Sequence, residues 1–289
     1  MTAQRANLIG SIWMIAAMAL FAIEDALLKA AASTLPVNQV LVLFGAGGAF
    51  IFAALARRQG TPLVPKEVTS RPMLVRAVFE VFGGLFYTLA FVLTPLSSTT
   101  VILQATPLVV VGAAATLFGE TVGWRRWGAI FLGLAGVIII IQPGSDSFTP
   151  LSILAVLGML GFAGRDLASR AAPASLSTNI LGLYGFFALI AAGALFAVYE
   201  NAPFVTVGLE TGLLMAAACG VGVIAYTALM RAMRTGEVSA VTPFRYSRLL
   251  FGLALGIFVF GESLTAPMIW GSLMIVASGL FILWRGQKT

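Results

Sequence analysis

The amino-acid sequence predicts an all-α membrane protein, with ten transmembrane helices in two inverted five-helix repeats. Three observations carry that prediction: the composition is apolar, long apolar stretches recur along the chain, and the second half repeats the first. Of 289 residues, 60% are hydrophobic and 10% charged, against roughly 25% charged in a soluble domain. Ten stretches follow one another, at about 8–30, 37–57, 72–94, 98–118, 126–142, 151–171, 178–199, 210–233, 239–260 and 267–285. Each is long enough to cross a ~30 Å hydrocarbon core as a helix. The runs are continuous rather than alternating, and in lipid the backbone must satisfy its own hydrogen bonds, so helices are required and a barrel is not.

The first stretch follows Arg5 and has no small-residue cleavage pattern before Glu24, so it reads as a retained helix and not a signal peptide. With the N-terminus inside, the cytoplasmic connections hold Arg57, Arg58, Lys66, Arg71 and Arg76, then Arg125 and Arg126, Arg170, Arg231 and Arg234, and finally Arg285 and Lys288. The opposite face holds little besides Lys29. This asymmetry places both termini in the cytoplasm. Trp124 and Trp127 bracket Arg125 and Arg126 where a helix meets the headgroups. The outer connections, at 94–96, 143–149, 201–209 and 263–266, are short and leave no room for an extramembrane domain.

The formal charge of +6 is scattered singly between spans, which reports orientation and not a nucleic-acid partner. One cysteine, Cys219, allows no intramolecular disulfide, and the absence of histidine excludes a histidine-based metal site, proton relay or Ser-His-Asp triad. No cofactor is expected. An intramembrane enzyme would need a nucleophile with a base, or a metal cluster, and the sequence offers neither. The expected partners are the lipid bilayer and a small-molecule substrate.

The repeat divides the chain into units at 1–145 and 146–289. A shift of 141 positions carries Met18, Phe21, Ala22, Asp25, Ala30 and Ala31 onto Met159, Phe162, Ala163, Asp166, Ala171 and Ala172, with Lys29 falling on Arg170. At 139, Gly83 and Tyr87 match Gly222 and Tyr226; at 142, Gly119-Glu120 matches Gly261-Glu262. Five helices per unit is odd, so consecutive units enter the membrane in opposite senses. Two similar states open to opposite faces follow when one half rocks against the other, which is transporter logic.

The five-plus-five arrangement, LFGE at Leu117 to Glu120, VFGE at Val259 to Glu262 and the WG-led small-residue helices that follow resemble the EamA-type transporters of the drug/metabolite transporter superfamily. Within that superfamily the chain is most similar to the bacterial aromatic amino-acid exporters. The resemblance implies an inner-membrane exporter of amino acids, aromatic and other apolar ones, or of related metabolites, with a central cavity between the halves. Drug or other metabolite export is the alternative within the same superfamily.

Charges inside spans cost about 2.5–3.5 kcal/mol each on insertion scales and mark partners or water-filled paths. The chain places Glu24, Asp25 and Lys29 in the first span, Glu80 in the third, Arg165 and Asp166 in the sixth, and Arg245 and Arg248 in the ninth, with Arg76 at a border. Asp25 with Lys29 and Asp166 with Arg170 form the same i,i+4 spacing once per half, which reads as a structural or gating ion pair. Where the halves differ, at Glu24 against Arg165, Glu80 against Cys219, and Arg245 and Arg248 against Leu103 and Thr106, substrate chemistry is the better reading. A zwitterion would set its carboxylate on Arg245 or Arg248 and its ammonium on Glu80 or Glu24. Direct pairing of Glu80 with Arg76 or Arg245 fits the same residues. Tyr87 and Tyr226, below small residues, and the equivalent pair Gln104 and Tyr246 complete the candidate cavity. Glu120 and Glu262 read as structural acids at incoming helix N-termini.

Overall fold

The computed structural model describes residues 2–93, 102–141, 150–200, 202–260 and 265–286. The connections at 94–96 and 143–149, the Gly261-Glu262 pair, Lys288 and the Lys29 side chain lie outside the described residues. Each of the ten apolar stretches contains a helix. These are α1 (Ala3–Ala31), α2 (Val37–Arg58), α3 (Arg71–Leu93), α4 (Thr106–Leu117), α5 (Trp124–Ile141), α6 (Ser152–Ala171), α7 (Thr178–Glu200), α8 (Leu209–Thr235), α9 (Ser247–Phe260) and α10 (Ala266–Gly286). No strand occurs among the described residues. Five helices, α1, α2, α6, α7 and α8, are both long and apolar enough over their described lengths to cross a membrane.

The ninth stretch departs from the expected continuous helix. It opens as one helical turn at Val238–Val241, tightens into a 3₁₀ segment at Thr242–Tyr246, and becomes α9 only at Ser247. Pro243 sits in the first turn of the 3₁₀ segment, where its missing N–H costs least. In the first half Pro107 stands in the first turn of α4 itself, opposite Leu249 in the repeat, so the two prolines are not equivalent. Gly119, at φ +66°, ends α4 in the left-handed conformation that only glycine adopts cheaply.

Packing pairs α1 with α8, α2 with α7, α3 with α6 and α5 with α10. Exchanging the first five helices for the last five maps α1–α8 onto α6–α3 and returns the other two pairs to themselves. Glycine allows the closest approaches. A β-carbon at Gly83 would stand 3.0 Å from the backbone nitrogen of Phe162, and one at Gly136 would stand 2.6 Å from the carbonyl oxygen of Gly271.

The exterior is apolar, and a few charged side chains lie buried within a largely apolar core. Phe50, Val78, Val198, Leu209 and Trp270 are all more than 60% exposed, whereas Arg76, Glu80 and Asp166 are buried in the interior. An apolar exterior with the charges turned inward is what lipid surroundings select.

Candidate functional site

Two clusters of charge stand beside each other, joined by the broken ninth stretch. The first gathers Arg76 and Glu80 from α3, Arg165, Asp166 and Ser169 from α6, Tyr226 from α8, and Arg245 from the 3₁₀ segment. Arg76 and Glu80 lie one turn apart on α3, and their side chains meet at 2.8 Å. Arg165 reaches Glu80 at 3.4 Å and Asp166 at 2.8 Å. Arg245 closes on the other oxygen of Asp166.

Glu80 is saturated. The Tyr226 hydroxyl lies 3.0 and 2.9 Å from its two oxygens and also pairs with Arg76. The Tyr226 ring is held edge-on between Phe52 and Phe186, which fixes where that hydroxyl points. Arg76 donates its Nε to the Ser169 hydroxyl at 3.0 Å, and that hydroxyl donates in turn to the Arg165 carbonyl at 2.8 Å. The Arg165 guanidinium lies 4.9 Å over the Phe162 ring.

The second cluster uses the other equivalent aspartate. Arg248 donates its Nε to Asp25 at 3.0 Å and lies 5.3 Å over the Phe21 ring. This pair is open: the Asp25 side chain is 54% exposed and that of Arg248 30%, against 3% or less for Arg76 and Glu80. Glu24, the residue before Asp25 on α1, is 92% buried, and its Oε2 has no hydrogen-bond partner among the described residues. That oxygen faces α8, where a β-carbon added at Gly222 would stand 3.0 Å away. Tyr87 and Arg248 are close enough to interact electrostatically.

Several expectations are corrected by this geometry. Asp166 pairs with Arg165 and Arg245 and not with Arg170, whose guanidinium turns to the Met233 carbonyl at 3.2 Å. Asp25 pairs across helices with Arg248. At Asp166 an interhelical guanidinium, that of Arg245, takes the place expected for Arg170, and its planar fork suits the carboxylate; the Lys29 side chain expected beside Asp25 lies outside the described residues. Tyr246 is buried away from both clusters, in a small apolar group with Val137 and Ile275, and donates to the Ile130 carbonyl at 3.2 Å. Gln104 is half-buried in the turn before α4. Arg76, which the sequence places at a border, is among the most deeply buried side chains.

Glu120 does sit at a helix N-terminus, but not that of the helix it precedes. Its two oxygens accept the backbone N–H groups of Val238 and Ser239, at 2.8 and 2.9 Å, at the start of the ninth stretch. Arg126 reinforces the junction by donating to Ser239 at 2.7 Å and Glu237 at 2.8 Å, while the Asn7 side chain accepts from the Glu237 N–H at 2.8 Å. Sequence reasoning missed Ser169, Asn7, Arg126 and Glu237. Spacing along a single helix carries no signal of contacts spanning about ninety to two hundred and thirty residues.

Residues 8–142 match the model of the EamA-like transporter family. Relatives of known role span most of the chain. An S-adenosylmethionine uptake transporter of Rickettsia felis is 23% identical over 76% of this chain and 74% of its own. The pseudopaline exporter CntI of Pseudomonas aeruginosa is 26% identical over 89% and 90%, and a riboflavin transporter of Vibrio cholerae is 25% identical over 97% and 95%. A solved crystal structure with 20% sequence identity superposes with a TM-score of 0.82 over 99% of this chain and 100% of that one, which shows the fold. The apolar helices and these similarities together indicate a multi-pass integral membrane protein of the small-metabolite transporter class. Within that class, the first half of the chain is similar to the EamA-like transporter family.

Proposed function

We propose that the protein exports amino acids, aromatic and other apolar ones, across a bacterial inner membrane by alternating access, with both termini cytoplasmic. In this reading ten helices cross the membrane and the two five-helix units are inverted copies. The exchange symmetry of the helix pairs supports that arrangement. The positions of Asp25 and Asp166, equivalent in the two units and each holding one arginine of the ninth stretch, support it independently.

The observation that carries the substrate class is the charge balance of the clusters. Among the described side chains, three guanidiniums face two carboxylates in the first cluster, and in the second Glu24 and Asp25 lie near one guanidinium, that of Arg248. Arg245 and Arg248 are three residues apart in the ninth stretch, so one segment supplies an arginine to each cluster. A surplus buried charge is expensive when unpaired. A ligand with a carboxylate at one end and an ammonium beside it cancels both, with the carboxylate on the Arg165 and Arg245 side. A simple apolar solute cancels neither.

The direction of transport rests on the resemblance to exporters, since the relatives include both an uptake transporter and an exporter. A second reading, export of another small metabolite, is favoured by the range of relatives, from pseudopaline to riboflavin. Counterflow in proteoliposomes, with aromatic and aliphatic amino acids and with or without a pH gradient, separates the two. Saturable amino-acid exchange is expected. No exchange of any amino acid, with exchange of a metabolite outside that class, would replace the first reading with the second.

A further inference from the structure

The substrate's ammonium has two candidate acceptors among the asymmetric carboxylates, and they differ in what already occupies them. Glu80 accepts from Arg76, Arg165 and Tyr226, and its side chain is 3% exposed. Its acceptor capacity is committed to residues that would all have to move. Glu24 has a buried oxygen with no partner among the described residues. Such groups are rare in folded proteins, because an unmade buried hydrogen bond costs its full desolvation, and they call for an explanation.

The surroundings of Glu24 are otherwise complete. Asp25 follows it on α1, Arg248 approaches from the ninth stretch, and Cys219 and Gly222 face it from α8. Arg248 is bound to Asp25, which leaves Glu24 as the acidic group that gives this cluster its surplus. Gly222 leaves the room that a β-carbon would take from the Glu24 oxygen. The accessible Asp25–Arg248 pair adjoins it in sequence, with Asp25 the next residue on α1. The second half has an arginine, Arg165, at the equivalent position, so the acid is not part of the shared architecture.

We infer that Glu24 is the specificity residue that reads the substrate's ammonium group, and that it makes the site select zwitterions over plain carboxylates. This rests on the amino-acid reading of the site and goes further by naming the atom that discriminates. Without the Glu24 charge the second cluster is neutral, and only the carboxylate-binding surplus of the first cluster remains. The Glu24→Gln variant then loses its preference for the amino group.

The test is counterflow and competition by the full-length protein in proteoliposomes. Phenylalanine is compared with 3-phenylpropionate, the same molecule without its amino group. The parent is expected to prefer phenylalanine by about 10- to 100-fold, the worth of one charge-assisted hydrogen bond. The Glu24→Gln variant is expected to recognise the two about equally while still exchanging 3-phenylpropionate, which shows that it is folded. Glu24→Asp should retain part of the preference. A Glu24→Gln variant that keeps the parental preference, or that loses both ligands to the same degree, overturns the assignment and leaves the amino-acid reading standing. A parent that exchanges neither ligand overturns both.

Discussion

Two carboxylates of the same interior should respond differently to the same substitution. Glu80 and Glu24 are both more than 90% buried. Replacing Glu80 with glutamine keeps its size but removes the anion that holds Arg76 at 2.8 Å, Arg165 at 3.4 Å and the Tyr226 hydroxyl. Two guanidiniums then remain desolvated with one carboxylate, Asp166, between them and Arg245. Breaking a buried pair from one side costs about 3–5 kcal/mol. At about 2 °C per kcal/mol for a chain of this size, the unfolding midpoint should fall by roughly 6–10 °C. Glu24→Gln removes no hydrogen bond to its unpartnered oxygen, so its midpoint should stay close to the parent's. Heating in detergent micelles, followed by circular dichroism, reads both variants against the parent. A Glu24→Gln midpoint as low as that of Glu80→Gln would refute the claim that Glu80 is held by its partners and the Glu24 Oε2 is not.

Other expectations follow from contacts outside the clusters. Gly161→Ala places a β-carbon against the backbone of Gly83 where α3 and α6 cross, and should cost about 1–3 kcal/mol in the same melting assay. Glu120→Ala removes the acceptor of two backbone N–H groups at the head of the ninth stretch, and should cost about 1–2 kcal/mol; Glu120→Gln should cost less. In a Cys219→Ala background, a cysteine at Val64, 77% exposed, should be labelled by an impermeant maleimide only from the cytoplasmic face, and one at Val207, 41% exposed, only from the outer face. Labelling of both from one face would contradict the proposed orientation.

The helices were legible because lipid imposes one rule on every span: long apolar runs must be helical, whatever they pack against. The charged residues of the site were legible for the same reason, since each ionisable group in a span stands out against its surroundings. Their partners were not. The repeated spacing of Asp25 with Lys29 and Asp166 with Arg170 made a local pair look sufficient, yet Arg248 and Arg245 hold the two aspartates. Those arginines arrive from a stretch that the apolar pattern described as one continuous helix. Pro243 was visible, but the 3₁₀ segment that aims Arg245 and Arg248 at different helices depends on tertiary contacts. Glu120 shows the same limit: its chemistry as an acid at a helix start was readable, and the identity of that helix was not.

The central claim is that two adjoining clusters of opposite surplus charge select a zwitterion. Competition against labelled phenylalanine in counterflow, with the parent protein and three unlabelled competitors, tests it most directly. Phenylalanine should compete fully, whereas 3-phenylpropionate and phenethylamine, each carrying one of the two charges, should compete at least about tenfold more weakly. Competition by either single-charge analogue as strong as that of phenylalanine would contradict the account.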